Sequence, residues 1–340
     1  MNISSLDAWT GHRLEADVGR NTLDRAVRTG LRRTISYARK RSPWYRDLFS
    51  GLPLPETPAD LSAYPLTSPE DLRRDPMRFL CVPQDDIDRV VTLQTSGTSG
   101  PPKRLFFTAA DLELTVDFFH HGMATLTEPG WPVLVLMPGP KPASIGSLLS
   151  RGLRRLGALP VLCPPTAQSG EILEQIEKRG IRTMVSPPAV MQRFLHTVDA
   201  KRLKRSPVKT VLVSSDATSP ELRTAMEAGL GCRVFDHWGM TETGYGGAVE
   251  CDAHTGCHIR ELDLYLEIID PVTTKPLPHG HRGEIVVTTL TRTGQVLIRY
   301  RTGDISRILP GRCPCGSVIR RLDTIAGRTD TNKPKAMRTE

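Results

Sequence analysis

The run TSGTSGPPK, Thr95 to Lys103, directly follows the strand-like Val90 to Leu93. Its small residues let backbone N–H groups curl around an anion, its hydroxyls add donors, and Lys103 adds a positive charge. A polyphosphate is the guest such a loop favours, while a plain Gly/Ser hairpin is the alternative for the loop taken alone. The Walker pattern does not apply. There the Lys directly follows the last Gly and precedes Ser or Thr, whereas Pro101 and Pro102 separate Gly100 from Lys103 here. Further along come DHWGMTE (Asp236 to Glu242), YRTGD (Tyr300 to Asp304) and GRTD (Gly327 to Asp330). Carboxylates in such runs can accept paired hydroxyl hydrogen bonds or offer hard oxygens to Mg²⁺. Trp238 as plain core and Asp304 as a turn cap are the unspecialised alternatives.

The elements that must hold these residues follow from periodicity. Apolar residues recur at helical spacing from Leu23 to Phe49 among many arginines, until Ser42-Pro43 breaks the pattern. Pro53, Pro55, Pro58 and Pro65 mark a surface crossing, and Thr67-Ser68-Pro69-Glu70 signals a short helix. Strand-like runs at Val133 to Met137, Val161 to Cys163, Thr183 to Val185 and Thr210 to Val213 then alternate with helical ones. The helical patterns are Asp111 to Thr125, Ser144 to Leu156, Ser169 to Arg179, Ala189 to Leu195 and Pro220 to Ala228. This predicts an α/β fold with a helix-covered, mainly parallel sheet over 85–250. The strand-rich runs Leu264 to Ile269, Glu284 to Thr289 and Val296 to Tyr300 predict a smaller β-rich subdomain over 260–325. Together they form one unit, 1–325, followed by a hinge stub and tail at 326–340.

In order and content these motifs resemble those of the adenylate-forming, AMP-binding superfamily. The N-terminal LRRTISYARKRSPWYRDLF looks like the opening helix of its phenylacetate-CoA ligase branch. Three ordered motifs are much harder to meet by chance than one. The resemblance implies that ATP activates a carboxylic acid as an acyl-adenylate that passes to coenzyme A; the small and apolar residue types of the expected pocket walls permit an aryl or medium aliphatic acid. It places Thr95, Ser96, Gly97, Thr98, Ser99, Gly100 and Lys103 around the β- and γ-phosphates, with Lys103, Thr98 and Glu242 catalytic. Trp238 would stack on adenine, Gly239 and Thr241 would belong to the same cofactor-binding set, Asp236 would accept from the adenine amino group, and Glu242 would hold Mg²⁺. Asp304 and Arg328 would bind the ribose. Ser215, Asp216 and Ala217 stand where the family usually carries a glycine-containing turn against adenine, so side chains replace glycine there. Pocket walls are expected from Met137 to Ile145, Ser186 to Val190 and Gly244 to Gly247. Family members continue past the position of Asp330 into a domain of roughly a hundred residues. Impaired turnover, or help from a separate C-terminal domain or carrier, is therefore expected, since Lys333 and Lys335 on the tail are poor substitutes for that domain's lysine.

Cys251, Cys257, His258, Cys313 and Cys315 form a further constellation. Three sulfurs and one nitrogen make a recognised closed zinc set, while the spacing alone leaves unrelated cysteines equally open. Some phenylacetate-CoA ligase-like proteins pair Cys-x6-His with Cys-x-Cys-Gly around structural zinc. That likeness selects Cys251, His258, Cys313 and Cys315, leaving Cys257 spare and His254 as runner-up. His120-His121, on a helical pattern, reads as ordinary histidine.

The 340 residues carry a formal net charge of +8, 39% hydrophobic and 24% charged residues, and seven cysteines. That composition is globular, and it excludes a disordered or fibrous chain. No signal-peptide core or run of about 18 apolar residues occurs, so a cytoplasmic location without membrane partners is expected, and a disulfide framework is not. The basic stretches lack the interleaved aromatics of a single-strand binding stripe. A nucleic-acid partner is therefore not expected, and a zinc-stabilised nucleic-acid-binding protein is the second rival reading. A non-catalytic nucleotide-binding module of the same fold is the stronger one.

Overall fold

The computed structural model describes residues 4–93, 101–139 and 141–329. The N-terminal third is built on the helix Arg20–Arg41, whose buried stripe Leu23, Val27, Leu31 and Ile35 repeats every four residues, leaving the arginine-rich face to solvent. Ser42 ends this helix and caps the next, Pro43–Leu48, accepting from the Tyr45 N–H through its hydroxyl. Pro43 is tolerated because the first N–H of a helix has no intrahelical partner. The helix Pro69–Arg74 starts as expected, with Ser68 and Asp71 in a reciprocal capping box.

The strands are β1 (Arg89–Leu93), β2 (Lys103–Phe107), β3 (Pro132–Val135), β4 (Leu159–Leu162), β5 (Thr183–Ser186), β6 (Thr210–Val213), β7 (Arg233–Trp238), β8 (Ala248–Glu250), β9 (Cys257–Ile259), β10 (Leu264–Ile269), β11 (Gly283–Thr289), β12 (Tyr300–Ser306), β13 (Ile308–Leu309), β14 (Arg321–Leu322) and β15 (Gly327–Arg328). A nine-stranded sheet runs in the order β13-β14-β9-β8-β7-β6-β5-β3-β4. Its β4-β3-β5-β6-β7 part is parallel. Side chains along β3 explain why. Val133 and Val135 join Val116, Phe118, Leu148 and Leu153 on one face, while Leu134 and its neighbour Leu136 join Ile172, Ile176, Met191 and Phe194 on the other. A strand buried on both faces needs helices on both, which parallel crossovers supply. Among the described residues no helix is long and apolar enough to cross a membrane.

Two features differ from the sequence pattern. β1 and β2 do not enter the large sheet but form their own antiparallel ribbon. Val296 to Tyr300 is not a strand as a whole: β12 begins only at Tyr300, because Arg299 takes φ 49° and breaks the extended run. The backbone there is held by side chains instead. The Ile298 N–H donates to the Tyr45 hydroxyl at 2.9 Å and the Arg299 N–H to Thr288 Oγ1 at 3.0 Å. The second, four-stranded sheet is antiparallel, in the order β10-β11-β12-β15.

Tyr45 thus ties the N-terminal helices to the start of β12 from full burial. Tyr45→Phe keeps the ring but strands the Ile298 N–H, so stability should fall by about 1–3 kcal/mol. Urea unfolding midpoints of the two proteins check this.

Candidate active site

β7 and β12 bring residues of two motifs into contact. The Trp238 indole N–H donates to Asp304 Oδ2 at 3.1 Å, and Arg328 Nη1 lies 3.1 Å from Asp304 Oδ1. Register places Arg328 opposite Asp304 across β12 and β15. Burial raises the Asp304 carboxyl above its ordinary value, against the pull of Arg328. The indole packs so closely on the chain that a Cβ at Gly247 would lie 2.5 Å from its ring. Asp236 is already engaged: its carboxylate pairs with Arg223 at 2.7 Å, and Glu250 joins the same guanidinium at 2.9 Å. In the turn after β6, Ser215 takes φ 90°, so a serine holds the backbone conformation that glycine adopts at no steric cost. Ser215, Asp216 and Ala217 are exposed.

A second group forms where β2, β12 and the short turn Thr241–Thr243 meet. The Lys103 ammonium donates to Glu242 Oε1 and, at 3.2 Å, to the Tyr300 hydroxyl, which itself donates to the same Oε1 at 2.9 Å. Glu242 is only 2% exposed and Lys103 7%. Burial and the adjacent Glu242 push the Tyr300 phenol well above its ordinary value. Arg292, fully enclosed, donates to the carbonyls of Glu242 at 2.9 Å and Phe106 at 3.1 Å, with its guanidinium 4.3 Å over the Phe107 ring. Burial lowers its pKa. Thr95, Ser96, Gly97, Thr98, Ser99 and Gly100 lie outside the described residues, as do Asp330, Lys333 and Lys335.

Beside these groups lies a cavity with about 400 Å³ of atom-free space, part of it open to solvent. Phe118, Met123, Met137, Ile145, Leu149 and Val249 give it apolar walls, and Ser214, His237 and Tyr245 are among the remaining lining residues.

Residues 55–292 match the family of AMP-binding enzymes. The chain belongs to that family. It is 29% identical over 309 residues to the phenylacetate-coenzyme A ligase of Aromatoleum evansii, covering 88% of this chain and 69% of the relative. The Pseudomonas putida phenylacetate-coenzyme A ligase is 28% identical over 341 residues, covering 97% of this chain and 73% of its own length. A 2-hydroxyisobutyryl-CoA ligase, solved with 2-HIB-AMP and CoA, superposes with a TM-score of 0.82 at 23% identity over 92% of this chain and 76% of that one, a likeness of fold.

In this AMP-binding enzyme the Cys/His constellation also converges. Donor atoms of Cys251, His258, Cys313 and Cys315 all lie within 4.8 Å of one another. Cys251 and Cys313 sulfurs are 3.6 Å apart, and Cys315 Sγ is 3.5 Å from His258 Nε2. The 3.5 and 3.6 Å separations are those of neighbouring donors at ~2.0–2.3 Å from a common centre. Cys257 Sγ instead faces the Asp236 carbonyl at 3.5 Å, and His254 Nδ1 faces Glu250 at 3.3 Å. Sequence reasoning gave Tyr300, His237, Arg223 and Arg292 no role. The first two were visible inside quoted motifs; the two arginines carried no local signal, because their partners are remote in sequence or are backbone carbonyls.

The Lys103–Glu242 pair makes a stability test possible. Glu242→Ala leaves a buried ammonium without its anion, and about 3–5 kcal/mol of stability should be lost. Lys103→Met combined with Glu242→Leu should recover part of that loss in urea unfolding.

Proposed function

We propose that this AMP-binding enzyme activates a carboxylic acid with ATP and passes the acyl group to coenzyme A. The observation that carries the reading is the convergence of Lys103, Glu242 and Tyr300 from three motifs at one buried point, beside the Trp238–Asp304–Arg328 group and an apolar cavity. The family and the phenylacetate-coenzyme A ligase relatives support the same chemistry. A carboxylate oxygen of the acid attacks the α-phosphorus, the bond to the β-phosphate oxygen breaks, and pyrophosphate leaves. The thiol sulfur of coenzyme A then attacks the acyl carbon and AMP departs.

Attack of one anion on another is the difficulty, so positioning and charge neutralisation are the protein's main contributions. Lys103 supplies a cation at the end of the phosphate loop. Glu242 would hold Mg²⁺, whose charge offsets the phosphate repulsion; both hydrogen bonds to this carboxylate use Oε1, and a carboxylate oxygen is the hard ligand Mg²⁺ takes. Asp304 and Arg328 would receive the ribose hydroxyls, with Trp238 against the base. Asp236, committed to Arg223, would reach the adenine amino group with its remaining acceptor capacity.

Zinc is the proposed occupant of the Cys251, His258, Cys313 and Cys315 cluster. Three sulfurs and a ring nitrogen fill a tetrahedral site without an open position, so the metal's work would be structural. It would lock the segment after β8 to the turn Cys313-Pro-Cys315. Metal analysis of protein prepared without chelator should find about one zinc per chain. Chelation should lower the unfolding temperature while ATP affinity in the folded protein is kept, because no nucleotide-side residue belongs to the cluster.

The activity is tested by acid-dependent exchange of pyrophosphate into ATP, followed by thioester detection by mass spectrometry. Because the relatives are longer, the 340 residues are assayed alone and with a relative's C-terminal domain supplied. Asp304→Ala should weaken ATP binding about 10- to 150-fold, as losing hydrogen bonds to a charged group implies. ATP binding with no acid-dependent exchange under either condition would instead identify a non-catalytic nucleotide-binding module.

A further inference from the structure

The cavity wall holds a polar atom that the activation chemistry does not use. His237 sits between Asp236 and Trp238 on β7, and successive strand side chains point to opposite faces, so it faces away from Asp304 and lines the cavity with Phe118 and Tyr245. Its Nδ1 lies 3.1 Å from Ser214 Oγ, which fixes the ring. Its Nε2 is sealed from solvent and has no hydrogen-bond partner among the described residues. Gly246 and the Phe118 ring pack against this edge of the imidazole: a Cβ at Gly246 would fall 3.5 Å from Nε2 and 2.4 Å from the Phe118 ring, so the Phe118 ring must shift for a substrate atom to reach Nε2. Burial, with Arg260 as a lesser cause, pushes the ring's pKa down to about 4, so the imidazole is neutral at physiological pH.

We propose that the acid activated at this site carries a hydroxyl on its otherwise apolar body, and that this hydroxyl pairs with His237 Nε2. The inference rests on the acid-activation reading. A neutral imidazole offers one donor and one acceptor. If Ser214 donates to Nδ1, Nε2 carries the proton and donates; if Nδ1–H donates to Ser214, Nε2 accepts. A hydroxyl satisfies either arrangement, whereas an unsubstituted ring or chain leaves Nε2 unpaired in an apolar wall. The walls of Phe118, Met123, Met137, Ile145, Leu149 and Val249 suit the rest of such an acid.

The test pairs acids with and without a hydroxyl, such as phenylacetate with 4-hydroxyphenylacetate and with mandelate, and isobutyrate with 2-hydroxyisobutyrate, in pyrophosphate exchange. At least one hydroxylated member should be preferred in kcat/KM by about 10- to 100-fold, the range expected when its absence strands a buried polar group. His237→Phe should bring that ratio near one, His237→Gln should keep part of it, and Tyr245→Phe, which removes the phenolic hydroxyl of a wall residue, should leave it standing. Equal rates within every pair, or a preference that survives His237→Phe or disappears with Tyr245→Phe, would overturn the proposal while leaving acid activation intact. If His237→Phe does not fold, the Gln and Tyr245 variants decide by the same ratio. No exchange with any acid would overturn the activation reading itself, and this proposal with it.

Discussion

The buried pair of Lys103 and Glu242, closed by the Tyr300 hydroxyl, joins parts of the chain that share no secondary structure. Lys103 opens β2 in the separate ribbon, Glu242 sits in the turn beyond the end of β7, and Tyr300 opens β12 of the four-stranded sheet. A buried ion pair is weak support for stability, since desolvation consumes much of the attraction. Its value here is one of specificity: either charge without the other is costly, so the ribbon, the large sheet and the second sheet are held to a single arrangement. Arg292 extends this by bonding the Glu242 and Phe106 carbonyls from the segment before β12. The residues matched to the nucleotide therefore depend on a contact that belongs to no one sheet.

Several of the arginines are occupied in the same way. Arg299 meets Glu267 at 2.9 Å with both side chains buried, Arg13 meets Asp263 at 2.7 Å, and Arg20 and Arg320 share Glu261. Arg13 and Arg20 reach partners more than 200 residues away and anchor the N-terminal helices to the β-rich part, while Arg320 and Arg299 pair with carboxylates 59 and 32 residues away. Guanidinium suits this role because its planar fork bonds carboxylates at two points. The arginine richness that raises the question of nucleic-acid binding thus has an internal use for several of its members.

What was legible in the sequence was whatever depends on neighbours along the chain. The helix Ser169–Arg179 and the strands Thr210–Val213 and Leu264–Ile269 coincide with the periodic runs that announce them. The antiparallel extension of the large sheet was not legible. β9, β13 and β14 are two or three residues long, and β9 finds β8 on one side and β14, more than 60 residues away, on the other. Such pairing leaves no periodic trace. The β12 start was missed because a buried run, Val296 to Ile298, looks like a strand whether its N–H groups bond to a ladder or to Tyr45 and Thr289 side chains. The site was half legible: motif order brought forward Trp238, Glu242, Asp304 and Lys103, but not that Asp236 would be engaged by Arg223, a partner supplied by a helix 13 residues earlier.

The run Asp236-His237-Trp238 shows how one strand end can serve two ligands. Alternation along β7 sends Trp238 toward Asp304 and the Cys257–Leu266 cluster, and His237 toward Phe118 and the apolar cavity. The Asp304 side and the cavity side, proposed for nucleotide and acid, are thereby separated by the thickness of a single strand, and the Glu242 turn follows at once. In the proposed chemistry the reacting carboxylate and α-phosphate must meet where those two sides join, which is the end of β7. Any side chain that alters the path of this strand end shifts both ligands together. Gly246 and Gly247 show how little freedom is left: a Cβ on the first would overlap the Phe118 ring and on the second the Trp238 indole, at 2.4 and 2.5 Å. Those two glycines let the Phe118 ring and the Trp238 indole close on the chain from the cavity side and the Asp304 side, so in the proposed reaction backbone packing would set the geometry before any charged group acts.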